Sequence, residues 1–316
     1  MKQKTIAGAV RLSGKGLHFG KESTLTVMPA EPNTGYLFVR TDLDGCPHIR
    51  AIADNVNETS RGTTVTENGV SVSTIEHLMA ATYAMGIDNA EFRVDGPEVP
   101  ILDGSSRYYV EAFSKVGTKE QDAELKVLNL DEPVSFTNGD TEITLLPAND
   151  YSAKVVVDYG KAMPTQTAEL SRLADFPSEI ANCRTFVFLS EIEPLLKMNL
   201  IKGGDLDNAI VVVDKVLPQS EYDRIAALCG KESIKVQKSG ILNTLKLQFD
   251  NEPARHKLLD IIGDLASVLG SAAVCRIRLD IRVKDAMPAV LRRIRSRLGG
   301  CGRRVDDDLR FARFRR

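Results

Sequence analysis

The strongest constraint on the fold is the grouping of short strand-like runs, with few helical segments between them. Over roughly the first 115 residues, alternating apolar and polar residues occupy STLTVMPA, YLFVRTDL and TTVTENGVSVS, and turn residues separate these runs. The second half repeats the pattern in AIVVVD (209–214) and ILNTLKLQF (241–249). Strands grouped in this way predict α+β layers and argue against a parallel sheet wound from βαβ units.

The length of 316 residues favours two domains, because a domain holds roughly 150 residues. The polar run at 118–125 predicts a linker between an N-terminal α+β domain at 1–117 and a C-terminal α+β domain at 126–316. No apolar stretch reaches the ~20 residues that a membrane-spanning helix needs, and the N-terminus is too polar for a secretory signal. The five cysteines lie far apart without a CxxC motif. We therefore expect a cytoplasmic protein with reduced thiols; the sequence does not indicate the oligomeric state.

The C-terminal 50 residues differ in charge from the rest of the chain. Residues 1–266 carry 27 Lys and Arg against 38 Asp and Glu, whereas residues 267–316 carry 13 Arg and one Lys against five Asp. Such a tail can be a basic arm for nucleic acid or anionic lipid. A shifted reading frame also produces Arg-rich, Lys-poor sequence, because many arginine codons are GC-rich. We favour the second interpretation and expect no nucleic-acid partner.

A helix that carries possible metal ligands is predicted over residues 250–270. Pro253 falls in its first turn, and apolar residues follow at helical spacing. Beside the apolar face, His256, Asp260 and Asp264 recur every four residues, so their side chains lie along one stripe. A histidine and an aspartate one helical turn apart can both bind one zinc ion. Asp264 would then be free to orient one of the ligands. The alternative, an exposed helix edge with a weak His-Asp pair, stays open on spacing alone.

A second helix is predicted to begin at Ser73 and to end at Gly86. Ser73 with Glu76 three residues later fits a capping box, and apolar residues follow at helical spacing. His77 directly follows Glu76. A metal hydrolase needs a histidine that binds the metal beside a glutamate that acts as the general base, and these two residues fit that requirement. Alternatively, Glu76 only caps the helix and His77 is a buried, hydrogen-bonded residue.

The segment 182–214 combines a Thr185-Phe186 pair with an apolar stretch that stops at Gly203-Gly204. An apolar insert beside polar loops could accommodate an acyl chain. The same pattern also fits an ordinary strand, helix and strand, and apolar periodicity alone does not separate the two interpretations.

Taken together, these segments resemble the UDP-3-O-acyl-N-acetylglucosamine deacetylases, the zinc amidohydrolases of lipid A biosynthesis. The resemblance extends from residue 1 to about residue 266. The matching motifs are SGKGLHFG (13–20), VSTIEHLMAA (72–81), GPEVPILDGSS (96–106), CRTFVF (183–188), LIKGGDLDNAIVVVD (200–214) and LQFDNEPARHKLLDIIGDLA (247–266). The sequence of the fifth motif is similar to the one found in lineages in which this enzyme is fused to a 3-hydroxyacyl carrier-protein dehydratase.

The resemblance implies two domains of similar topology, each a sheet with helices on one face. The two helix layers would pack together, with the active site between the domains. It also implies Zn²⁺ as the cofactor, held by His77, His256 and Asp260, and Glu76 as the general base that activates water.

The resemblance further implies residues that contact the substrate, UDP-3-O-acyl-N-acetylglucosamine. Thr185 would stabilise the oxyanion, Phe186 would lie against the sugar, and Lys257 would meet the anionic nucleotide part. An insert near 189–209 would hold the acyl chain, and His18 would form a wall of the cleft.

The sequence departs from this family in its C-terminal part. The family continues with a strand and a Pro-Gly-His turn, whose histidine is held by the carboxylate corresponding to Asp264 and protonates the departing nitrogen. No histidine follows His256 in this chain, although RIRLDIRV (276–283) alternates well enough to form a strand. We therefore expect impaired deacetylation. The alternative is a non-catalytic binding protein whose basic tail holds anionic lipid, sugar nucleotide or nucleic acid.

Overall fold

The computed structural model describes residues 1–58, 62–129, 132–198, 202–269 and 273–283, and it confirms the α+β fold class. Within these residues, the N-terminal half forms a five-stranded sheet in the order β2-β3-β9-β4-β5 and a three-stranded sheet β6-β7-β8. Its elements are β1 (Lys2–Ile6), β2 (Val10–Lys15), β3 (Glu22–Pro29), β4 (Tyr36–Arg40), β5 (His48–Arg50), β6 (Val56–Glu58), β7 (Thr64–Glu67), β8 (Val70–Val72), α1 (Glu76–Ala84), β9 (Ala90–Val94), α2 (Arg107–Val116) and β10 (Thr118–Glu124). Asn68-Gly69 forms the turn that joins β7 to β8, and Gly86, with φ 66°, follows α1 as expected.

The C-terminal half is built on a sheet in the order β12-β13-β18-β14-β15, in which β11 also pairs with β18. A two-stranded parallel sheet joins β16 and β17. The elements are β11 (Lys126–Asn129), β12 (Val134–Asn138), β13 (Thr141–Pro147), β14 (Ser152–Val157), β15 (Gln166–Leu170), α3 (Phe176–Glu179), β16 (Phe186–Phe188), α4 (Leu189–Lys197), β17 (Ile210–Val212), α5 (Gln219–Leu228), α6 (Glu252–Leu269) and β18 (Ala273–Val283).

The segment that we predicted as a linker, 118–125, is mostly a regular strand. β10 pairs antiparallel with β1 at the N-terminus, and the Lys2 ammonium lies 2.8 Å from the Asp122 carboxylate. The polar composition of this segment therefore reflects a solvated strand. The domain boundaries at 117 and 126 stay a prediction.

The segment ILNTLKLQF (241–249), which we predicted as a strand, is not one. Its backbone forms only isolated bridges at Ile241 and Leu242. Side-chain amides take several of the backbone partners that a strand would need, because Gln237 Nε2 donates to the carbonyls of Leu242 and Leu245. The alternating apolar residues of this segment belong to an irregular loop, and their side chains face the core.

The insert that we predicted near 189–209 contributes to a small apolar cluster of its own. The buried members of this cluster are Leu189, Ile192, Leu206, Val211, Tyr222, Ile225, Ala226, Ile234 and Leu242. α4, β17 and α5 supply most of them, and residues 199–201 lie outside the described part of the chain. The insert is thus an apolar unit beside the main core.

RIRLDIRV (276–283) forms most of β18, as we predicted. β18 pairs antiparallel with β13 and parallel with β14, so it occupies the middle of its sheet. The rest of the predicted arginine-rich tail, 284–316, lies outside the described residues. Among the described helices, none has the length and apolar character that crossing a membrane requires.

The predicted contact between the helix layers is present, because α1 packs directly on α6, and α6 in turn covers β14 and β15. The two helices meet at Gly263. An ideal Cβ at this glycine would lie 2.0 Å from the carbonyl oxygen of Glu76 and 3.1 Å from the backbone nitrogen of Ala80. The backbone of α1 therefore occupies the space that any side chain on residue 263 would need.

We expect Gly263→Ala to lower the free energy of unfolding by about 1–3 kcal/mol or more, because the added methyl group would force the two helices apart. This loss should exceed the gain of up to ~1 kcal/mol that alanine brings to a helix interior. Urea unfolding followed by circular dichroism measures it. Gly8→Ala is the matched control, because a Cβ there would meet Val116 at an ordinary 3.8 Å. Equal or higher stability of the Gly263 variant would contradict this account of the helix contact.

Candidate functional site

Two histidines and one aspartate meet where α1 packs on α6. His77 lies in the first turn of α1, and His256 and Asp260 lie one turn apart on α6. The Nε2 atoms of His77 and His256 are 3.6 and 3.2 Å from the same oxygen, Asp260 Oδ1. Their possible ligand atoms all lie within 4.8 Å of one another, and both histidines are buried. The structure therefore brings together the three residues that we predicted as a ligand set.

The chemistry of this donor set fits zinc. Two imidazole nitrogens and a carboxylate oxygen are common zinc ligands, and catalytic sites keep a further position open. The ring of His256 is also oriented as in a metal site, because its other nitrogen, Nδ1, lies 3.0 Å from the carbonyl oxygen of Cys183. Nε2 is thereby left to face Asp260 and His77.

A buried ion pair holds the loop that presents this carbonyl. The backbone N–H and the Nε of Arg184 both donate to Glu252 Oε1, each at 2.9 Å. Glu252 lies in the first turn of α6, one turn before His256, and both charged side chains are buried. Sequence reasoning missed this pair, although both residues lie inside motifs that we had recognised.

Lys257 lies on the metal-ligand cluster itself. Its ammonium donates to Asp260 Oδ2 at 2.8 Å and lies 5.7 Å from the centre of the Phe186 ring. Burial favours the neutral form of Asp260, but the neighbouring His256 and Lys257 hold the pKa of this carboxyl well below its usual range. Burial likewise lowers the pKa of Lys257, but the charge of Asp260 outweighs this and raises it. A contact of Lys257 with a nucleotide stays a prediction.

The capping box that we predicted at the start of α1 is wrong. The helix begins at Glu76, no side chain caps it, and the Ser73 hydroxyl instead accepts a hydrogen bond from Thr64 Oγ1. The carboxylate of Glu76 accepts the backbone N–H of Thr63 through Oε2 at 2.8 Å. Glu76 is therefore not used as a helix cap, so the structural alternative to its predicted role does not hold; the role as a base stays a prediction.

Two carboxyls beside the ligand cluster, the buried Glu76 and the half-buried Asp264, have raised pKa values. Burial raises the pKa of Glu76 to about 7, against the opposing effects of His77 and the Thr63 N–H. Burial also raises the pKa of Asp264 to about 7, and the negative charge of Asp260 adds to the effect. Both groups therefore titrate near neutrality in the metal-free chain.

Thr63 connects these two carboxyls, and sequence reasoning missed it. Its backbone N–H donates to Glu76, and its hydroxyl donates to Asp264 Oδ1 in a short hydrogen bond. Thr63 lies in the loop before β7, at the first residue of the run TTVTENGVSVS, whose alternation indicates a strand and marks no functional residue. The only sequence signal was the preceding glycine.

That glycine, Gly62, lies close to Glu76 and His18. An ideal Cβ at residue 62 would lie 3.1 Å from Glu76 Oε1 and 3.5 Å from His18 Nε2. The missing side chain thus keeps a space into which both groups face. The predicted position of His18 at the wall of the cleft stays a prediction.

Glu98 holds the loop that carries His18. Its carboxylate is 2% exposed and accepts the backbone N–H groups of His18 and Phe19 at 2.9–3.1 Å. It also accepts the hydroxyl of Thr74 at 2.6 Å, two residues before Glu76. Thr74 has φ 60°, which is rare for a β-branched residue. One buried carboxylate thus ties the His18 loop to the start of α1.

Thr185 and Phe186 lie at the start of β16, and the Phe186 ring lies near the Lys257 ammonium. The N–H of Thr185 donates to the Gly104 carbonyl at 2.8 Å, and its own carbonyl accepts the N–H of Ile210. The Phe186 ring packs edge-on against Tyr159, with 5.8 Å between ring centres and 68° between the ring planes. A cavity of about 420 Å³ lies beside these two rings. It is lined by Asp140, Asp158, Tyr159, Gly160, Ala162, Phe188 and Asp214.

Comparison with known families identifies relatives across most of the chain. A family model described as "LpxC: UDP-3-O-acyl N-acetylglycosamine deacetylase" matches residues 3–227 and 226–279. The match continues into β18, beyond residue 266, where we expected the resemblance to end.

Individual curated relatives agree with the family model. A "Bifunctional enzyme LpxC/FabZ" from Bacteroides thetaiotaomicron is 49% identical over 85% of this chain, and one from Porphyromonas gingivalis is 46% identical over 84%. The chain spans only 59% and 58% of the lengths of these two relatives. A "UDP-3-O-acyl-N-acetylglucosamine deacetylase" from Marinobacter nauticus is 36% identical over 94% of this chain and 90% of its own length.

The raised pKa values predict a pH dependence of stability in the metal-free protein. The folded chain binds protons at Glu76 and Asp264 up to about pH 7, whereas the unfolded chain releases them near pH 4.5 and 3.8. Because the folded state binds more protons in between, the free energy of unfolding should fall as the pH rises from about 4 to 8. Glu76→Gln should recover roughly 3 kcal/mol of this loss, since one pKa unit corresponds to about 1.4 kcal/mol.

Urea unfolding at pH 4.5 and pH 8 in the presence of a chelator measures this difference. Glu120→Gln, a change at an exposed carboxylate of β10, is the control and should keep the wild-type pH dependence. A Glu76 variant with the same pH dependence as the wild type would show that this carboxyl does not titrate as described.

Proposed function

The chain belongs to the UDP-3-O-acyl-N-acetylglucosamine deacetylase family, and from this premise we propose that it hydrolyses the N-acetyl group of UDP-3-O-acyl-N-acetylglucosamine. The products are acetate and UDP-3-O-acyl-glucosamine, an intermediate of lipid A biosynthesis. The observation that carries the proposal is the convergence of His77, His256 and Asp260 directly beside the buried carboxyl of Glu76.

We assign His77, His256 and Asp260 as ligands of one zinc ion. When bound, zinc supplies a Lewis acid that polarises the amide carbonyl and makes water more acidic. The chain supplies the rest of the site. Cys183 orients His256 through its carbonyl, and Lys257 neutralises the second oxygen of Asp260.

Glu76 is the general base of the proposed reaction. A general base works best when its pKa lies near the working pH, and burial places that of Glu76 at about 7. The Thr63 N–H holds Oε2, whereas Oε1 faces the space beside Gly62 and His18. The carboxylate is thus positioned to accept a proton from water in the cleft.

The substrate contacts that we propose lie on the C-terminal side of the cluster. The hydroxyl of Thr185 donates to the amide oxygen as it becomes negative, and Phe186 packs against the sugar. Lys257, which lies over the Phe186 ring, attracts the anionic part of the substrate. The insert near 189–209 accommodates the acyl chain, and its separate apolar cluster supports this assignment.

We propose that the rate is low for this family. Amide cleavage needs a proton at the leaving nitrogen, and the sequence contains no histidine after His256. Asp264 corresponds to the carboxylate that holds this histidine in the family that the sequence resembles, and here it accepts a hydrogen bond from Thr63. The loss of one proton-transfer group corresponds to a rate that is roughly 10²–10⁴ lower.

The purified protein should contain one zinc ion per chain, as measured by elemental analysis. Alanine at His77 or His256 should remove it, because two of three protein ligands do not retain zinc in competition with a chelator. His48→Ala is the matched control, since this histidine is exposed on β5. Full zinc occupancy in the double variant of His77 and His256 would refute the ligand assignment.

Glu76→Gln should retain zinc and fold but release acetate about 10²–10⁴ times more slowly than the unaltered chain. Turnover of UDP-3-O-acyl-N-acetylglucosamine is followed as acetate formed at saturating substrate, beside a family member that carries the C-terminal histidine. An unaltered rate in the variant would rule out Glu76 as the base. Zinc and substrate binding without any acetate release from the wild-type chain would favour the alternative of a non-catalytic binding protein.

A further inference from the structure

Thr63 occupies a position between the two carboxyls that flank the ligand cluster. It is 3% exposed, its N–H donates to Glu76 on α1, and its hydroxyl donates to Asp264 on α6. One residue of the N-terminal half therefore connects the two helices that carry the candidate site.

The backbone of Thr63 has little freedom to move. Its carbonyl accepts the N–H of Ile75, the residue before α1, at 3.2 Å. The next residue, Thr64, donates through its hydroxyl to Ser73. The preceding residue, Gly62, lies close to Glu76, since a Cβ there would be 3.1 Å from Glu76 Oε1. The hydroxyl of Thr63 is therefore presented to Asp264 from a fixed point.

Asp264 depends on this hydroxyl for its orientation. Within the described part of the chain, Thr63 is the residue whose hydrogen bond reaches the Asp264 carboxylate. A half-buried carboxylate that loses its protein donor must reorient or bind water, because leaving a polar group without a hydrogen bond is costly. Removing the hydroxyl would thus release Asp264 without touching the metal ligands.

We propose that Thr63 is a positioning residue of the reaction, in which its hydroxyl fixes Asp264 relative to Glu76. This inference rests on the proposed deacetylase function. Thr63 contacts neither a metal ligand nor, in this assignment, the substrate. Its loss therefore lowers kcat, while KM and zinc occupancy stay unchanged.

The test compares Thr63→Val, which keeps the volume and the backbone N–H, with Thr63→Ser, which keeps the hydroxyl. We expect the valine variant to lose about 10–100-fold in kcat, as is common when an outer hydrogen bond of a metal site is removed, and the serine variant to stay close to the wild type. Thr66→Val is the matched control, because its hydroxyl pairs with Ser71 on the same hairpin, away from the site. In an Asp264→Ala background, Thr63→Val should have no further effect on kcat.

The possible results separate this inference from the proposed function. A wild-type chain without acetate release would overturn the proposed function, and with it the assignment of Thr63 to this reaction. If the wild type turns over substrate but Thr63→Val leaves kcat unchanged, the inference alone is overturned. The same holds if Thr63→Val lowers kcat as much in the Asp264→Ala background as in the wild type. If Thr63→Val does not fold, Thr63→Ala is measured instead. A serine variant as slow as the alanine variant would then show that the hydroxyl is not what matters.

Discussion

The candidate site depends on the absence of a side chain at Gly263. Because α6 has only a hydrogen atom at this position, its backbone contacts the carbonyl of Glu76, and the first turn of α1 lies directly on the helix that carries His256. His77 follows Glu76 in sequence, so one contact between two backbones positions a predicted base and a predicted metal ligand together. Short, stiff connections of this kind locate groups more accurately than contacts between long side chains.

The cost of this arrangement is electrostatic. Three carboxyls, those of Glu76, Asp260 and Asp264, lie close together in a water-poor region. The Lys257 ammonium donates a hydrogen bond to only one of them, Asp260. Burial of several like charges is unfavourable unless a cation offsets it. A divalent ion held by the histidines would provide that offset, which connects the raised pKa values to the chemistry of the donor set.

Sequence periodicity was sufficient for the parts of the site that lie on regular elements. The four-residue spacing of His256 and Asp260 predicted a shared face of α6, and the structure agrees. It was insufficient where the backbone is irregular. The prediction of a capping box was wrong because the backbone of Thr74 adopts a left-handed conformation, which no local sequence pattern indicates. Thr63 was missed because a loop residue gains its role from distant partners. The segment 118–125 was predicted as a linker, and the strand β10 within it was not predicted, because a solvated strand and a linker share a polar composition.

The position of β18 in the C-terminal sheet has a consequence for how the chain reaches its native state. This strand supplies the middle of the sheet between β13 and β14, yet it follows α6 and lies far along the chain from both of its neighbours. During synthesis, the β12–β13 hairpin and the β14–β15 pair emerge as separate pieces, each with an unpaired edge, until residues 273–283 leave the ribosome. Pairing over such sequence distances closes large loops and is slow. Exposed strand edges also attract other chains during that interval. Pairing of these edges with other chains is therefore most favoured in the period between the appearance of β15 and the insertion of β18.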